Sequence, residues 1–180
     1  LLLGAFLVQT QSVLDGCDGE IARLKYQFSN VGQWLDNVTD DVVNNSFVLA
    51  VGVNVWLSTD SLAALVVGAA AAFGYTFQNL VIYHFLLTKA HSGDVFLFRW
   101  WFETDVKESA DQYDPASVLT FVRNLGRRDT YLFLYLVLAA AGLPWVILAY
   151  AAVISSIAFG MGFYHAIVHP LIAKPEKARA

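Results

Sequence analysis

LAALVVGAAAAFGYTFQNLVIYHFLL, residues 62–87, runs without a single Asp, Glu, Lys or Arg. A helix needs roughly 20 apolar residues to cross a bilayer, so this stretch is long enough to span one. Its alanines, with Gly68 and Gly74, let neighbouring helices approach closely. Before it, Trp34 to Leu57 forms a second span whose first turns are polar, with Asp36, Asp40, Asp41, Asn44 and Asn45. Ser58-Thr59-Asp60-Ser61 is the turn between the two, with Asp60 or Ser61 as N-cap. After Arg127-Arg128-Asp129 an apolar region runs to His169, broken at Gly142-Leu143-Pro144. Gly ends one helix there and Pro begins the next. The first of these two spans is short, and its start reaches back into the basic cluster. Gly160 and Gly162 read as close-packing positions rather than a phosphate loop. Leu1 to Val8 reads as the second half of a membrane helix whose start is absent.

Composition points the same way. Hydrophobic residues make up 57% of the 180, charged residues 14%, and mean hydropathy is +0.53. Soluble domains carry about 25% charged residues. The fold class is therefore all-α, a polytopic transmembrane helical bundle. A net charge of −4 with no basic stripe argues against nucleic acid as a partner. Cys17 is the sole cysteine, which excludes an internal disulfide and a multi-cysteine zinc site. It reads as a small packing residue.

The positive charges set the sidedness. With the Asp15–Asp40 region in the cytoplasm, alternation of spans fixes every later segment. Arg23 and Lys25 then lie inside, as do Lys89, Arg99, Lys107, Arg123, Arg127 and Arg128, and Lys174, Lys177 and Arg179. All 11 Lys and Arg fall on that side and both external turns carry none. The connection over about 88–128 is acidic and aromatic, and Phe96 to Phe102 lies along the lipid headgroups or forms a lid or partner surface. Asp94, Glu103, Asp105, Glu108, Asp111 and Asp114 read as a solvated loop face. Asn44-Asn45-Ser46 matches a glycosylation triplet but falls in the membrane or cytoplasm and is discounted.

The chemistry sits at Asp15-Gly16-Cys17-Asp18-Gly19-Glu20-Ile21-Ala22-Arg23, then eight residues, then Gly32-x3-Asp36-x3-Asp40. Spacings of three and four put side chains on one helical face. Unpaired carboxylates clustered beside lipid repel one another, and a divalent cation removes that penalty. An all-oxygen set suits Mg2+ or Mn2+, whereas Zn2+ would recruit His or Cys. A structural or transport cation site is the competing reading; Arg23 beside the acids favours phosphate chemistry. Glu20 and Asp41 read as solvated or outer charges. His84, His91, His165 and His169 lack metal-ligand spacing with an acidic partner.

This stretch resembles the signature of the CDP-alcohol phosphatidyltransferase family, an integral membrane family. The eight specified residues Asp15, Asp18, Gly19, Ala22, Arg23, Gly32, Asp36 and Asp40 keep its spacing over 26 positions. The resemblance implies a six-helix fold with the N-terminal helix and part of the second absent here. It implies that Asp15, Asp18 and Asp36 bind metal, with Asp40 sharing in coordination and acting as the base. Gly19 and Gly32 would make room for a cytidine nucleotide, Ala22 would permit close packing, and Arg23 would hold phosphates or pair with Glu20 or Asp18. The implied reaction moves a substituted phosphate from a CDP-linked donor, in many members CDP-diacylglycerol, to a hydroxyl, releasing CMP. Arg123, Arg127 and Arg128 form an anion pocket for a phosphorylated acceptor, inositol phosphate, or are the basic residues that topology alone expects. Glycerol phosphate or serine as acceptor is the alternative, and a cation-binding transporter the rival from another class. Residues 1–173 would form the transmembrane domain and 174–180 a cytoplasmic tail. The cell membrane, with a cytoplasmic site, is the expected location, and a homodimer is implied by the resemblance.

Overall fold

A computed structural model describes residues 1–25, 29–98, 100 and 127–168, without the side chains of residues 18, 20, 22, 23, 96 and 168. Among the described residues the fold is all-α, with five α-helices: α1 (Leu2–Leu24), α2 (Asn30–Thr59), α3 (Leu62–Phe85), α4 (Arg128–Ala140) and α5 (Pro144–Phe163). Single π-helical turns, Leu86–Ala90 and Tyr164–Val168, prolong α3 and α5. Three stretches are long and apolar enough to cross a membrane: Asn30–Thr59, Leu62–Ala90 and Pro144–Ile167.

Local chemistry sets the helix ends. Ser29 has an extended backbone, and its Oγ accepts the Gly32 N–H at 3.0 Å, satisfying a donor that the first turn of α2 leaves open. Asp60 closes α2 in the left-handed conformation, φ 56°, donating its N–H to the Trp56 carbonyl at 2.7 Å. Ser61 takes the N-cap position of α3 without a side-chain cap bond. Asp60 thus ends one helix rather than starting the next. Gly142, φ +71°, follows α4, and Pro144 opens α5. The short span foreseen after Arg127 begins at Arg128 and has 13 residues. At 1.5 Å per residue that is about 20 Å, less than a bilayer core.

Small residues let the helices meet. At the α2–α3 crossing, a Cβ on Gly68 would lie 3.1 Å from the Gly52 Cα. Where α3 meets α5, Gly74 faces Ser155, whose Oγ donates to the Ala71 carbonyl at 2.6 Å. Gly162 packs against Gln78 in the same interface, but Gly160 faces no atom within 4 Å and does not serve the close packing expected of it. Val51, Val55, Ala64, Leu132, Ile147, Leu148 and Ala151 are buried at the centre, with the Phe47 ring stacked on Tyr135. α1 packs mainly on α4. Leu57, Leu62, Phe73, Val153 and Ile157 point outward, as hydrocarbon-facing side chains do.

The segment after α3 is anchored rather than loose in its described part. Asn37 Nδ2 donates to the Gly93 carbonyl at 2.8 Å, and Asn30 Oδ1 accepts the Gly93 N–H at 2.5 Å. A side chain at 93 would collide with Gln33 and Trp34. Phe98 is buried among the rings of Phe85, Trp100 and His165. It ties this segment to the bundle, so the headgroup-lying reading does not hold for Phe98. Arg99 and residues 101–126 lie outside the described residues, as does the tail 174–180.

Candidate active site

Three helices converge on one acidic cluster. α1 brings Asp15 and, one turn earlier, Gln11. α2 brings Asp36 and Asp40, one turn apart. α4 brings Arg128 at its first residue. One oxygen each from Asp15, Asp36 and Asp40 lies within 4.8 Å of the others. Arg128 Nη1 donates to Asp15 Oδ2 at 3.1 Å and to Asp40 Oδ2, while its Nη2 donates to Gln11 Oε1 at 2.9 Å. Gln11 Nε2 donates in turn to Asp40 Oδ1 at 2.9 Å. Asp40 is the more enclosed acid of the ion pairs, its side chain 16% exposed against 25% for Asp15. The start of α4 is fixed by Ser12 Oγ, which donates to Asp129 Oδ1 at 3.2 Å. An acid in a first helical turn also suits the helix dipole.

The donor set fits a divalent ion. Among the described residues, three carboxylates share this small volume with one guanidinium, so acid outnumbers base. The oxygens are hard ligands, and among the described residues no His or Cys joins the three. This triad could hold a metal.

Beside it, α2 and α3 build a second polar group. Asp41 accepts from Tyr83 Oη through one oxygen and from Asn79 Nδ2, at 2.6 Å, through the other. Tyr83 is held by an edge-on contact with Trp34, ring centres 5.3 Å apart. Asn45 Nδ2 donates to Thr76 Oγ1 at 3.1 Å. A cavity of about 860 Å3 opens between α2, α3, α4 and α5, with Asp40, Asp41, Asn79, Arg127 and Arg128 on its wall. A volume of 300–1,000 Å3 is usual for small-molecule sites.

The residues singled out by sequence distribute as follows. Asp15, Asp36 and Asp40 come together. Asp18 and Ala22 belong to α1, three and seven residues beyond Asp15, as does Arg23, but their side chains lie outside the described residues. Gly19 faces open space, whereas Gly32 abuts the capping Ser29 Oγ, so its bareness serves the helix start. Arg128 is engaged by the acidic cluster instead of standing free, Arg127 is exposed on the cavity rim, and Arg123 lies outside the described residues. Arg127 and Arg128 thus share one cavity wall, and the part of the reading that rests on Arg123 lies outside the described residues. Asp41 is part-buried and bonded to Asn79 and Tyr83 beside the cluster, which fits the outer charge of its two readings rather than the solvated one. Sequence reading also passed over Gln11, Asn79 and Tyr83. The signal for them was polar spacing within apolar runs: Gln11 is four before Asp15, and Tyr75, Gln78, Asn79 and Tyr83 share one face of α3.

Comparison with known proteins adds an independent line. The family model described as CDP-alcohol phosphatidyltransferase matches residues 1–162. The chain is similar to the bifunctional IPC transferase and DIPP synthase of Archaeoglobus fulgidus, 27% identical over 80% of this chain and 24% of that protein. The protein of the same name from Aquifex aeolicus is 41% identical over 32% of the chain and 14% of its own length. That of Thermococcus kodakarensis is 42% identical over 27% and 11%. The chain thus aligns with a quarter or less of each of these relatives. No solved structure matches.

Proposed function

The chain belongs to the CDP-alcohol phosphatidyltransferase family, and from that premise we propose that it transfers a substituted phosphate from a CDP-linked donor, CDP-diacylglycerol, to a hydroxyl acceptor at the cytoplasmic face of the cell membrane. The observation that carries this reading is the double position of Asp40. It belongs to the carboxylate triad and also lines the cavity. A base placed there touches the acceptor hydroxyl on one side and the phosphate site on the other.

Asp15, Asp18, Asp36 and Asp40 are the residues that would hold Mg2+ or Mn2+, and the ion supplies charge neutralisation at the diphosphate oxygens. Arg23 pairs with donor phosphate, and the open flank at Gly19 leaves room for the nucleotide. The acceptor oxygen attacks the phosphorus bearing the lipid alcohol. Its proton goes to Asp40, the bond from that phosphorus to the bridging oxygen breaks, and CMP leaves with the electron pair. Gln11 holds Asp40 Oδ1, fixing the carboxylate's orientation. No covalent enzyme intermediate is required, and positioning with electrostatics supplies the acceleration.

For the acceptor we favour inositol phosphate, because Arg127 and Arg128 flank the cavity and can meet a dianionic phosphate. The transferase in the relatives' name accords with group transfer here. Glycerol phosphate is the second reading, since the same arginines would meet its phosphate. A homodimer is supported by the resemblance to the family.

The test is CMP release from CDP-diacylglycerol with a panel of acceptors in liposomes. Release should require Mg2+ or Mn2+ and should fall at least about 100-fold in Asp40→Asn, the lower range for loss of a general base. Release unchanged by that substitution removes Asp40 from its role and, with it, the reading.

A further inference from the structure

We propose that Asp41, Asn79, Tyr83, Asn44 and Asn45 form a hydroxyl-reading wall that selects a polyhydroxylated acceptor. The inference rests on the transferase reading and deepens it. α2 presents Asp41, Asn44 and Asn45 to the cavity at helical spacing, and α3 presents Asn79 and Tyr83 from the facing side. These residues stand in stretches apolar enough to span a bilayer, where unmatched polar atoms are strongly disfavoured. Yet, among the described residues, the buried Oδ1 atoms of Asn44 and Asn45 have no hydrogen-bond partner. Asn45 is turned by its bond to Thr76, so its Oδ1 stays available as an acceptor. Asp41 has each oxygen fixed by one donor, with lone pairs left over.

The wall is thus rich in acceptors and calls for O–H donors. An acyl chain would leave both amide oxygens unmatched. An inorganic anion would be repelled by Asp41. A ring or chain with several hydroxyls meets every requirement, since each hydroxyl both donates and accepts. Arg127 and Arg128 on the same cavity then take the phosphate of such a molecule. Asp40, adjacent to Asp41 on α2, faces the hydroxyl that reacts.

The experiment compares myo-inositol 1-phosphate with glycerol 3-phosphate as acceptors for the wild-type chain and for Asp41→Asn, Asn45→Leu and Tyr83→Phe. The ratio of kcat/KM values, inositol phosphate over glycerol phosphate, should fall about tenfold or more, through the acceptor KM. A site built to bond substrate hydroxyls discriminates strongly against ligands that lack them. Tyr83→Phe keeps the ring against Trp34, and donor KM with Mn2+ binding reports whether each variant is folded. A ratio unmoved in folded variants overturns the proposal. So does a wild-type chain that releases CMP with serine and with no polyol phosphate, which leaves the transferase reading standing. CMP release with none of the acceptors removes both.

Discussion

Arg128 holds Asp15 Oδ2 and Asp40 Oδ2, oxygens of two of the three carboxylates that a divalent ion would need. A cation bound there would compete with the guanidinium for these carboxylates. Two such charges a few ångströms apart, partly screened, change affinity by roughly tenfold or more. Arg128→Gln should tighten Mn2+ binding by about that factor, read by titration of the purified protein without substrate. The same variant should raise the KM of a phosphorylated acceptor, because a cation has left the cavity wall. Mn2+ binding that weakens instead would show Arg128 organising the carboxylates rather than contending for them. That Asp36 and Asp40 share a helical face was legible from their spacing of four, and Asp15 was legible from the motif that the two acidic segments form together. Arg128 was legible as a basic residue beside a span. Its pairing with Asp15, 113 positions away, is tertiary and leaves no local pattern.

At the level of helices, the Gly52–Gly68 contact decides how closely α2 and α3 can lie. Those two helices carry Asp36, Asp40 and Asp41 on one side and Asn79 and Tyr83 on the other. Gly68→Val inserts atoms where backbone already stands 3.1 Å from a Cβ position. Overpacking of that kind destabilises by about 1–3 kcal/mol. The thermal midpoint in detergent should drop in Gly68→Val. Gly160→Ala meets nothing within 4 Å, and alanine is favoured over glycine inside a helix by about 1 kcal/mol. Its midpoint should hold or rise; equal losses in both variants would contradict the crossing described here. Gly68 and Gly74 could be read as packing residues from the sequence because they interrupt a charge-free run. Gly160 could not be told from Gly162, since helical phase relative to a neighbour is set only when the bundle assembles. The burial of Phe98 was hidden for the same reason, because its partners Phe85 and His165 come from two different helices.

For the molecule as a whole, sidedness links the fold to the proposed chemistry. A CDP-linked donor has a polar half that belongs in cytosol and a lipid half that belongs in hydrocarbon. A site where α1, α2 and α4 meet at one end of the bundle serves both. With that end inside, the α2–α3 turn at Asp60 and Ser61 falls outside, and Lys25, Lys89, Arg127 and Arg128 fall inside. Cys17 makes this measurable, since it is an exposed free thiol two residues from Asp15. In intact cells, a membrane-impermeant maleimide should leave Cys17 unmodified until the membrane is opened. Ser61→Cys in a Cys17→Ser background should react before opening, because it places the thiol at the external turn. Modification of Cys17 in sealed cells, with protection of the thiol at position 61, would invert the bundle. The acidic cluster would then face a compartment that does not supply cytidine nucleotides, and the transferase reading would lose its physical basis.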